Sequence, residues 1–183
     1  MSGRLRKTVV LVGMMGAGKT AVGTQLARIL GVPFRDSDDE IVAAASMSVA
    51  EIFARDGEAF FRRRESEVLA RLLRGPVGIL STGGGAFLQP RNRELIAAQG
   101  VSVWLRADLD VLWDRVRQRT TRPLLKTQNP RETLATLCRE RAPAYAKADI
   151  IVDSERDQSI DAMARKVIAA LAARVDVMEG AQQ

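Results

Sequence analysis

Short apolar runs alternate along the chain with longer stretches in which apolar residues recur every three or four positions. Five short runs have the pattern of buried strands: Thr8–Val12, Val32–Asp36, Val77–Leu80, Val101–Leu105 and Ile150–Val152. Four longer stretches have the apolar stripe of an amphipathic helix: Thr20–Leu30, Glu58–Leu73, Asp108–Gln118 and Gln158–Arg174. Strands and helices that alternate in this way predict an α/β fold with a parallel sheet.

The composition is typical of one folded domain. The chain has 183 residues, of which 46% are hydrophobic and 27% are charged. No apolar run approaches the ~20 residues of a membrane span. The basic segment Met1–Lys7 leads into an apolar stretch too short for a signal peptide, so we expect a cytoplasmic protein. The chain has no histidine and one cysteine, Cys138, which excludes histidine-based triads, Cys/His zinc sites and an internal disulfide.

The net charge of +6 favours anionic ligands. The basic residues are spread along the chain and only 4% of residues are aromatic, which disfavours a nucleic-acid surface built on base stacking. Most of the 28 basic residues are arginines, whose planar guanidinium group binds carboxylates and phosphates through two hydrogen bonds. The sequence therefore favours small anionic ligands over nucleic acid.

A phosphate-binding loop follows the first predicted strand and precedes the first predicted helix. The motif G-x-x-x-x-G-K-[ST] is formed by Gly13, Met14, Met15, Gly16, Ala17, Gly18, Lys19 and Thr20. The glycines let successive backbone N–H groups turn towards phosphates, and the helix N-terminus adds positive potential. We expect Lys19 to reach the β- and γ-phosphates of ATP and Thr20 to bind Mg²⁺. A glycine-rich turn with a chance Lys-Thr pair is the alternative.

Two carboxylates follow the second predicted strand. Side chains two positions apart share a face of a strand, so Asp36 and Asp38 are predicted to point the same way beyond its end. Ligands of α/β sheets lie at that edge, where the pair would suit Mg²⁺ and an acceptor hydroxyl. The alternative is that Asp36–Glu40 is the capped, acidic start of a helix, to which Asp39 and Glu40 are assigned.

The order of these and later motifs resembles the shikimate kinase family of small P-loop kinases, which are related to nucleoside monophosphate kinases. The phosphate loop is similar to the family's Walker A motif, and Asp36–Asp38 to its D-x-D motif. Further similar segments are Ile52-Phe53, Phe61-Arg62, Ser81–Gly85, Arg122–Leu125 and Arg141–Tyr145. The resemblance covers most of the chain.

The resemblance implies a three-layer α/β/α P-loop fold with a five-stranded parallel sheet. It places a helical substrate-binding segment at about residues 37–75 and a mobile lid at about 119–128. The tails, residues 1–6 and 175–183, are expected to be disordered. The implied reaction transfers the γ-phosphate of ATP to the 3-hydroxyl of shikimate with Mg²⁺, giving shikimate 3-phosphate and ADP on the route to the aromatic amino acids. We expect a monomer with no nucleic-acid or membrane partner.

The resemblance also implies the residues of the substrate site. Asp38 is expected to accept the proton of the hydroxyl, while Asp36 reaches Mg²⁺ mostly through a water. Consecutive arginines at 62, 63 and 64 fan around a helix by about 100° each, so they cannot all face one ligand. The resemblance selects Arg62, with Glu65 near it, and leaves the other two to solvent or to neighbours such as Glu67. The remaining expected substrate contacts are Phe53, Gly83, Gly84, Gly85 and Arg141.

Arginines in and near the lid are assigned to the nucleotide and the transferring phosphate. By resemblance, Arg122 stabilises the transferring charge and Arg119 stacks on the adenine. The alternative for Arg122 is a surface arginine that caps the preceding helix, and the alternative for Arg141 is a salt bridge with Glu140 on its own helix. For Phe53 the alternative is core packing, and for the three glycines it is a flexible turn.

Two other functions fit part of the sequence. One is a kinase for another small hydroxylated acid, such as gluconate, or for a nucleoside monophosphate. The other is a P-loop module that binds ATP without rapid turnover. The second is disfavoured because Asp38, Arg62, Arg122 and Arg141 would then have no role.

Overall fold

The computed structural model describes residues 3–118 and 126–180, which form a parallel sheet between layers of helices. The strands are β1 (Arg4–Leu5), β2 (Thr8–Val12), β3 (Phe34–Asp36), β4 (Ile79–Ser81), β5 (Gly100–Arg106), β6 (Ile150–Asp153) and β7 (Met178–Glu179). The helices are α1 (Lys19–Leu30), α2 (Ser37–Ala45), α3 (Val49–Leu73), α4 (Pro90–Gln99), α5 (Leu109–Val116), α6 (Pro130–Tyr145) and α7 (Ile160–Ala172). A short 3₁₀ helix covers Ala86–Leu88. No helix among the described residues is both long and apolar enough to cross a membrane.

The central sheet confirms the predicted α/β class. Its five parallel strands lie in the order β3-β4-β2-β5-β6. All of β2 is buried, with Val9 paired to Ile79 on one side and to Val101 on the other, which explains its uninterrupted apolar run. The five predicted strands are present; β2 has the predicted bounds, and the ends of the other four are shifted by at most two residues. The carboxyl ends of β2, β3 and β4 bring the phosphate loop, Asp36 and the three glycines to one edge of the sheet.

Helix α3 begins earlier than the predicted helix Glu58–Leu73 and is bent. Its first turn is capped by Ser48, whose hydroxyl accepts a hydrogen bond from the backbone N–H of Glu51 (3.1 Å). Gly57 interrupts the helix with φ 83° and ψ 170°, a conformation that strains any residue with a side chain. The bend lets Ile52 and Phe61, from the two halves, pack with Ile41 of α2 in a second, smaller core.

The prediction of disordered tails is wrong for much of both tails. Strand β1 pairs antiparallel with β7, with Arg4 opposite Glu179. Leu5, Val177 and Met178 are buried in the main core, so the pairing is backed by apolar packing. Two-residue strands at opposite ends of the sequence have no periodicity from which their pairing could be predicted.

The packing of the C-terminal segment can be tested with two valines. Val177 is 0% exposed and Val175 is 79% exposed. Val177→Ala removes buried methyl groups and should lower the free energy of unfolding by about 2 kcal/mol. This corresponds to a Tm lower by about 4–8 °C in thermal unfolding. Val175→Ala is the matched control and should leave the Tm within about 1 °C. Equal Tm values for the two variants would show that the segment does not contribute to the core.

Candidate active site

The phosphate loop is shaped by glycines and by its contact with α5. Gly13, Gly16 and Gly18 have φ values of 142°, 83° and 91°, which favour glycine. A Cβ at Gly16 would lie 2.7 Å from Cγ1 of Val116, so the loop lies directly against α5. The side chains at the other motif positions before Lys19 are buried in the core and leave the backbone to face a ligand: Met14, Met15 and Ala17.

The motif lysine lies across this loop. Lys19 Nζ donates hydrogen bonds to the carbonyl oxygens of Gly13 (2.6 Å) and Met14 (3.2 Å). Thr20 follows in the first turn of α1, and its side chain is exposed. The strand, loop and helix therefore follow one another as the motif predicted, with the ammonium group held at the loop.

Asp36 and Asp38 are not arranged as two positions of one strand, so that part of the prediction is wrong. Helix α2 begins at Ser37, and Asp36 is its N-cap: its Oδ1 accepts hydrogen bonds from the backbone N–H groups of Asp38 (2.9 Å) and Asp39 (3.2 Å). The alternative of an acidic helix start is correct for the backbone. Asp38 nevertheless faces the carboxyl edge of the sheet, because a Cβ at Gly83 would lie 2.9 Å from both of its carboxylate oxygens.

The three glycines after β4 lie against three charged side chains from three helices. The partners are Asp38 of α2 for Gly83, Arg141 of α6 for Gly84 and Arg62 of α3 for Gly85. A Cβ at Gly84 would lie 2.6 Å from Nη1 of Arg141, and one at Gly85 would lie 2.6 Å from Nη1 of Arg62. Gly85 has φ −91°, which any residue adopts, so the closeness of the Arg62 guanidinium, and not the backbone conformation, favours glycine at this position.

Arg62 is held by a buried carboxylate on its own helix. Its Nη1 donates to Oε1 (3.0 Å) and Oε2 (3.2 Å) of Glu65, which is 1% exposed. Burial raises the pKa of Glu65, and the charge of Arg62 opposes this shift. Arg63 is exposed, and Arg64 pairs with Glu67 (2.8 Å). Of the three arginines, Arg62 is the one that lies against the glycines, and its contact with a ligand stays a prediction.

Three buried side-chain atoms among the described residues lack a hydrogen-bond partner: Ser37 Oγ, Asp38 Oδ1 and Arg62 Nε. The carboxylate of Glu58 lies 3.6 Å from Arg62 Nε, too far for a hydrogen bond. Burial raises the pKa of Asp38; Asp36 adds to the shift, and Lys19 and Arg62 oppose it. An unpaired acceptor and an unpaired donor in one site are costly unless a ligand pairs them. A ligand with a hydroxyl and a carboxylate has the complementary groups.

Arg141 lies beside Tyr145 at the same glycines. The two residues are one turn apart on α6, and the positive charge of Arg141 acts on the Tyr145 hydroxyl. The same hydroxyl donates to the carbonyl oxygen of Gly84 (2.6 Å). Burial raises the pKa of Tyr145, which keeps the hydroxyl protonated as a donor. This arrangement favours the site over the alternative of a surface salt bridge for Arg141.

Phe53 packs against the second, smaller core formed by α2 and α3. Its ring centroid lies 4.8 Å from that of Phe61, and the side chain is half-buried. This contact supports the alternative of core packing, and a contact with substrate stays a prediction. Of the predicted lid at about 119–128, Arg119 and Arg122 lie outside the described residues.

Arg115 is a site residue that the sequence analysis missed. Its Nη1 donates to the carbonyl oxygen of Gly16 (3.0 Å), and its Nη2 donates to Ser154 Oγ (3.1 Å) and to the carbonyl oxygen of Glu155 (3.4 Å). Burial lowers the pKa of its guanidinium group. Arg115 thus ties the phosphate loop to the segment after β6. Its partners are 99 and 39 positions away in sequence, so no local spacing distinguishes it from neighbouring arginines.

Comparison with known proteins agrees with this geometry. The model of the shikimate kinase family matches residues 15–172. The chain belongs to the shikimate kinase family. It is 64% identical to a shikimate kinase of Cereibacter sphaeroides over 96% of this chain and 88% of that protein. It is 63% identical to one of Ruegeria pomeroyi over 96% of this chain and 90% of that protein.

Solved structures of the shikimate kinase family have the same fold. Shikimate kinase from Acinetobacter baumannii in complex with shikimate superposes with a TM-score of 0.86 and 36% identity, covering 91% of this chain and 93% of that one. A gluconokinase from Sinorhizobium meliloti superposes with a TM-score of 0.62 at 20% identity, over 93% of this chain and 94% of that one. The second likeness concerns the fold alone.

The raised pKa of Asp38 predicts a cost in stability at neutral pH. An unfolded aspartate titrates near 3.8, and burial raises the pKa in the folded state. The folded state therefore binds the proton more tightly, and the stability from this group falls as the pH rises from about 3.8 through the raised pKa. Asp38→Asn should raise the Tm at pH 7 by about 2 °C or more, and the gain should shrink as the pH falls through the raised pKa towards 3.8.

The control for this prediction is the neighbouring aspartate. Asp39 is exposed in the same helical turn, so Asp39→Asn should leave the Tm unchanged or slightly lower at pH 7. Thermal unfolding of both variants from pH 3 to pH 8 checks this. A Tm gain for Asp38→Asn that does not depend on pH would contradict the electrostatic explanation.

Proposed function

We propose that this member of the shikimate kinase family transfers the γ-phosphate of ATP to the 3-hydroxyl of shikimate at the site formed by α2, α3, α6 and the three glycines. The observation that carries the proposal is the pair of unsatisfied buried atoms, Asp38 Oδ1 and Arg62 Nε. Shikimate supplies hydroxyl groups for the acceptor and a carboxylate for the donor. The phosphate loop lies at the same edge of the sheet, where a nucleotide can approach Asp38.

The phosphate loop is assigned to the nucleotide. Its backbone N–H groups and the N-terminus of α1 suit the phosphates, and Lys19 exchanges the carbonyls of Gly13 and Met14 for phosphate oxygens when ATP binds. Arg115 supports the loop from outside and joins it to the segment after β6. Arg119 and Arg122 keep their predicted roles at the adenine and at the transferring phosphate.

Thr20 and Asp36 are the residues assigned to Mg²⁺. Asp36 uses Oδ1 to cap α2, which leaves Oδ2 as the oxygen for the ion or its water. Among residues 3–118 and 126–180, no group of three His, Cys, Asp or Glu side chains could hold a metal by itself. This fits an ion that takes most of its ligands from nucleotide phosphates and water. When bound, Mg²⁺ neutralises charge on the phosphates.

Asp38 is assigned as the base that orients the acceptor hydroxyl and takes its proton. Its raised pKa makes it a stronger base than an exposed aspartate, and the positive charges of Lys19 and Arg62 oppose that rise. Arg62 and Arg141 bind the carboxylate of the substrate, each from a fixed position beside a glycine. Catalysis then depends on positioning and on electrostatic stabilisation of the transferred phosphoryl group.

An ADP-release assay with three acceptor conditions tests the proposal. We expect release with shikimate and little release with gluconate or without an acceptor. Asp38→Asn should lower kcat by about 100-fold or more, with a small change in the KM for ATP, because it removes the base and leaves the phosphate loop intact. Faster release with gluconate would reassign the substrate, and ATP binding without acceptor-dependent release would indicate a binding module.

The arginines provide a second test with a control on the same helix. Arg62→Ala and Arg141→Ala should each weaken shikimate binding by about 2–4 kcal/mol, which is roughly 30- to 1,000-fold, because each removes a charge-assisted contact. Arg64→Ala should change the affinity by less than about 3-fold, since Arg64 pairs with Glu67 on the outer face. Calorimetric titration measures all three, and an equal loss in Arg64→Ala would show that the wrong face of α3 was assigned.

A further inference from the structure

A buried asparagine outside the assigned site connects two of its walls. Asn92 lies in the first turn of α4 and is 0% exposed. Its Nδ2 donates to the carbonyl oxygen of Ala86 (2.9 Å), and its Oδ1 accepts a hydrogen bond from Ser66 Oγ (2.7 Å). Both ends of the amide are therefore satisfied by groups from different elements.

The two partners of Asn92 are neighbours of the Arg62–Gly85 contact. Ser66 is four residues after Arg62 on α3, so the two side chains lie on one face of the helix. Ala86 directly follows Gly85, whose backbone lies against the Arg62 guanidinium. Ser66 is 5% exposed, so its hydrogen bond with Asn92 is shielded from water.

We propose that Ser66 and Asn92 are positioning residues that fix the distance between Arg62 and the Gly85 backbone for binding of the substrate carboxylate. The inference rests on the proposed function. It assigns the accuracy of the Arg62 contact to a hydrogen-bonded link between α3 and the turn formed by Gly83, Gly84 and Gly85, the glycine turn. Apolar packing alone would hold these elements together without defining their register, whereas a hydrogen bond defines a distance and an angle.

The geometry of the site shows why the distance matters. The Arg62 guanidinium lies directly against the turn, since a Cβ at Gly85 would lie 2.7 Å from Cζ of Arg62. A displacement of α3 by a fraction of this distance would push the guanidinium against the turn or withdraw it from the carboxylate. Small displacements of this kind can cost an order of magnitude or more in rate.

Ser66→Ala tests the link with little change in volume. We expect it to lower kcat/KM for shikimate about 10-fold, mostly through KM, while the Kd for ADP stays within about 2-fold. The matched control is Ser102→Ala, because Ser102 is 3% exposed and its Oγ accepts a hydrogen bond from the backbone N–H of Asp149 (2.8 Å) away from the glycine turn. An equal loss in Ser102→Ala would overturn the proposal.

A double-mutant cycle with Arg62→Ala separates positioning from general stability. If Ser66 acts through Arg62, Ser66→Ala should lower kcat/KM less than about 2-fold once Arg62 is absent. An equal loss in both backgrounds, or no loss in the parent, would overturn the inference. Failure of Arg62→Ala itself to affect shikimate would instead overturn the role of Arg62 in the proposed function. Asn92→Leu, which removes both hydrogen bonds, should reproduce the KM effect of Ser66→Ala.

Discussion

The close approach of three charged side chains to three successive glycines is the constraint on which the rest of the site depends. Asp38, Arg62 and Arg141 come from three different helices, and each places its charged group against the glycine backbone, where a Cβ would come closer than 3.0 Å to it. The absence of side chains therefore lets these charged groups approach the end of β4 closely. The turn formed by the three glycines is thus the point at which charged groups from three helices meet.

The same site carries an electrostatic cost that the rest of the fold offsets. Burial raises the pKa of three carboxyl groups at α2 and α3, those of Asp36, Asp38 and Glu65. Two of the unsatisfied buried atoms, Asp38 Oδ1 and Arg62 Nε, belong to side chains that lie against the glycines. These groups are kept in place by a fully buried central strand and a continuous apolar core. Destabilising groups are thus concentrated in the site, and stabilising apolar packing lies elsewhere. This distribution is expected where a protein must keep reactive groups unpaired until a ligand arrives.

Much of the fold and part of the site could be predicted because the signals are local. The apolar runs identified the five strands of the sheet, and the glycine-lysine motif located the phosphate loop. Other features depend on contacts that no local spacing encodes. Arg115 binds partners far away in sequence, and the bend at Gly57 extends α3 beyond its periodic half. The prediction that Asp36 and Asp38 share one face of a strand is wrong for a different reason. It assumed the two-residue repeat of a strand, but helix α2 begins at Ser37.

The N-cap of α2 has a consequence for how the two substrates influence each other. One oxygen of Asp36 holds the backbone N–H of Asp38, so the residue assigned to the nucleotide side is joined to the residue assigned to the acceptor side by a single hydrogen bond (2.9 Å). A ligand that displaces Asp36 also displaces the first turn of α2. Thermodynamic linkage then requires that each substrate change the affinity for the other by the same factor. The start of one helix thus connects the residues assigned to the two substrates.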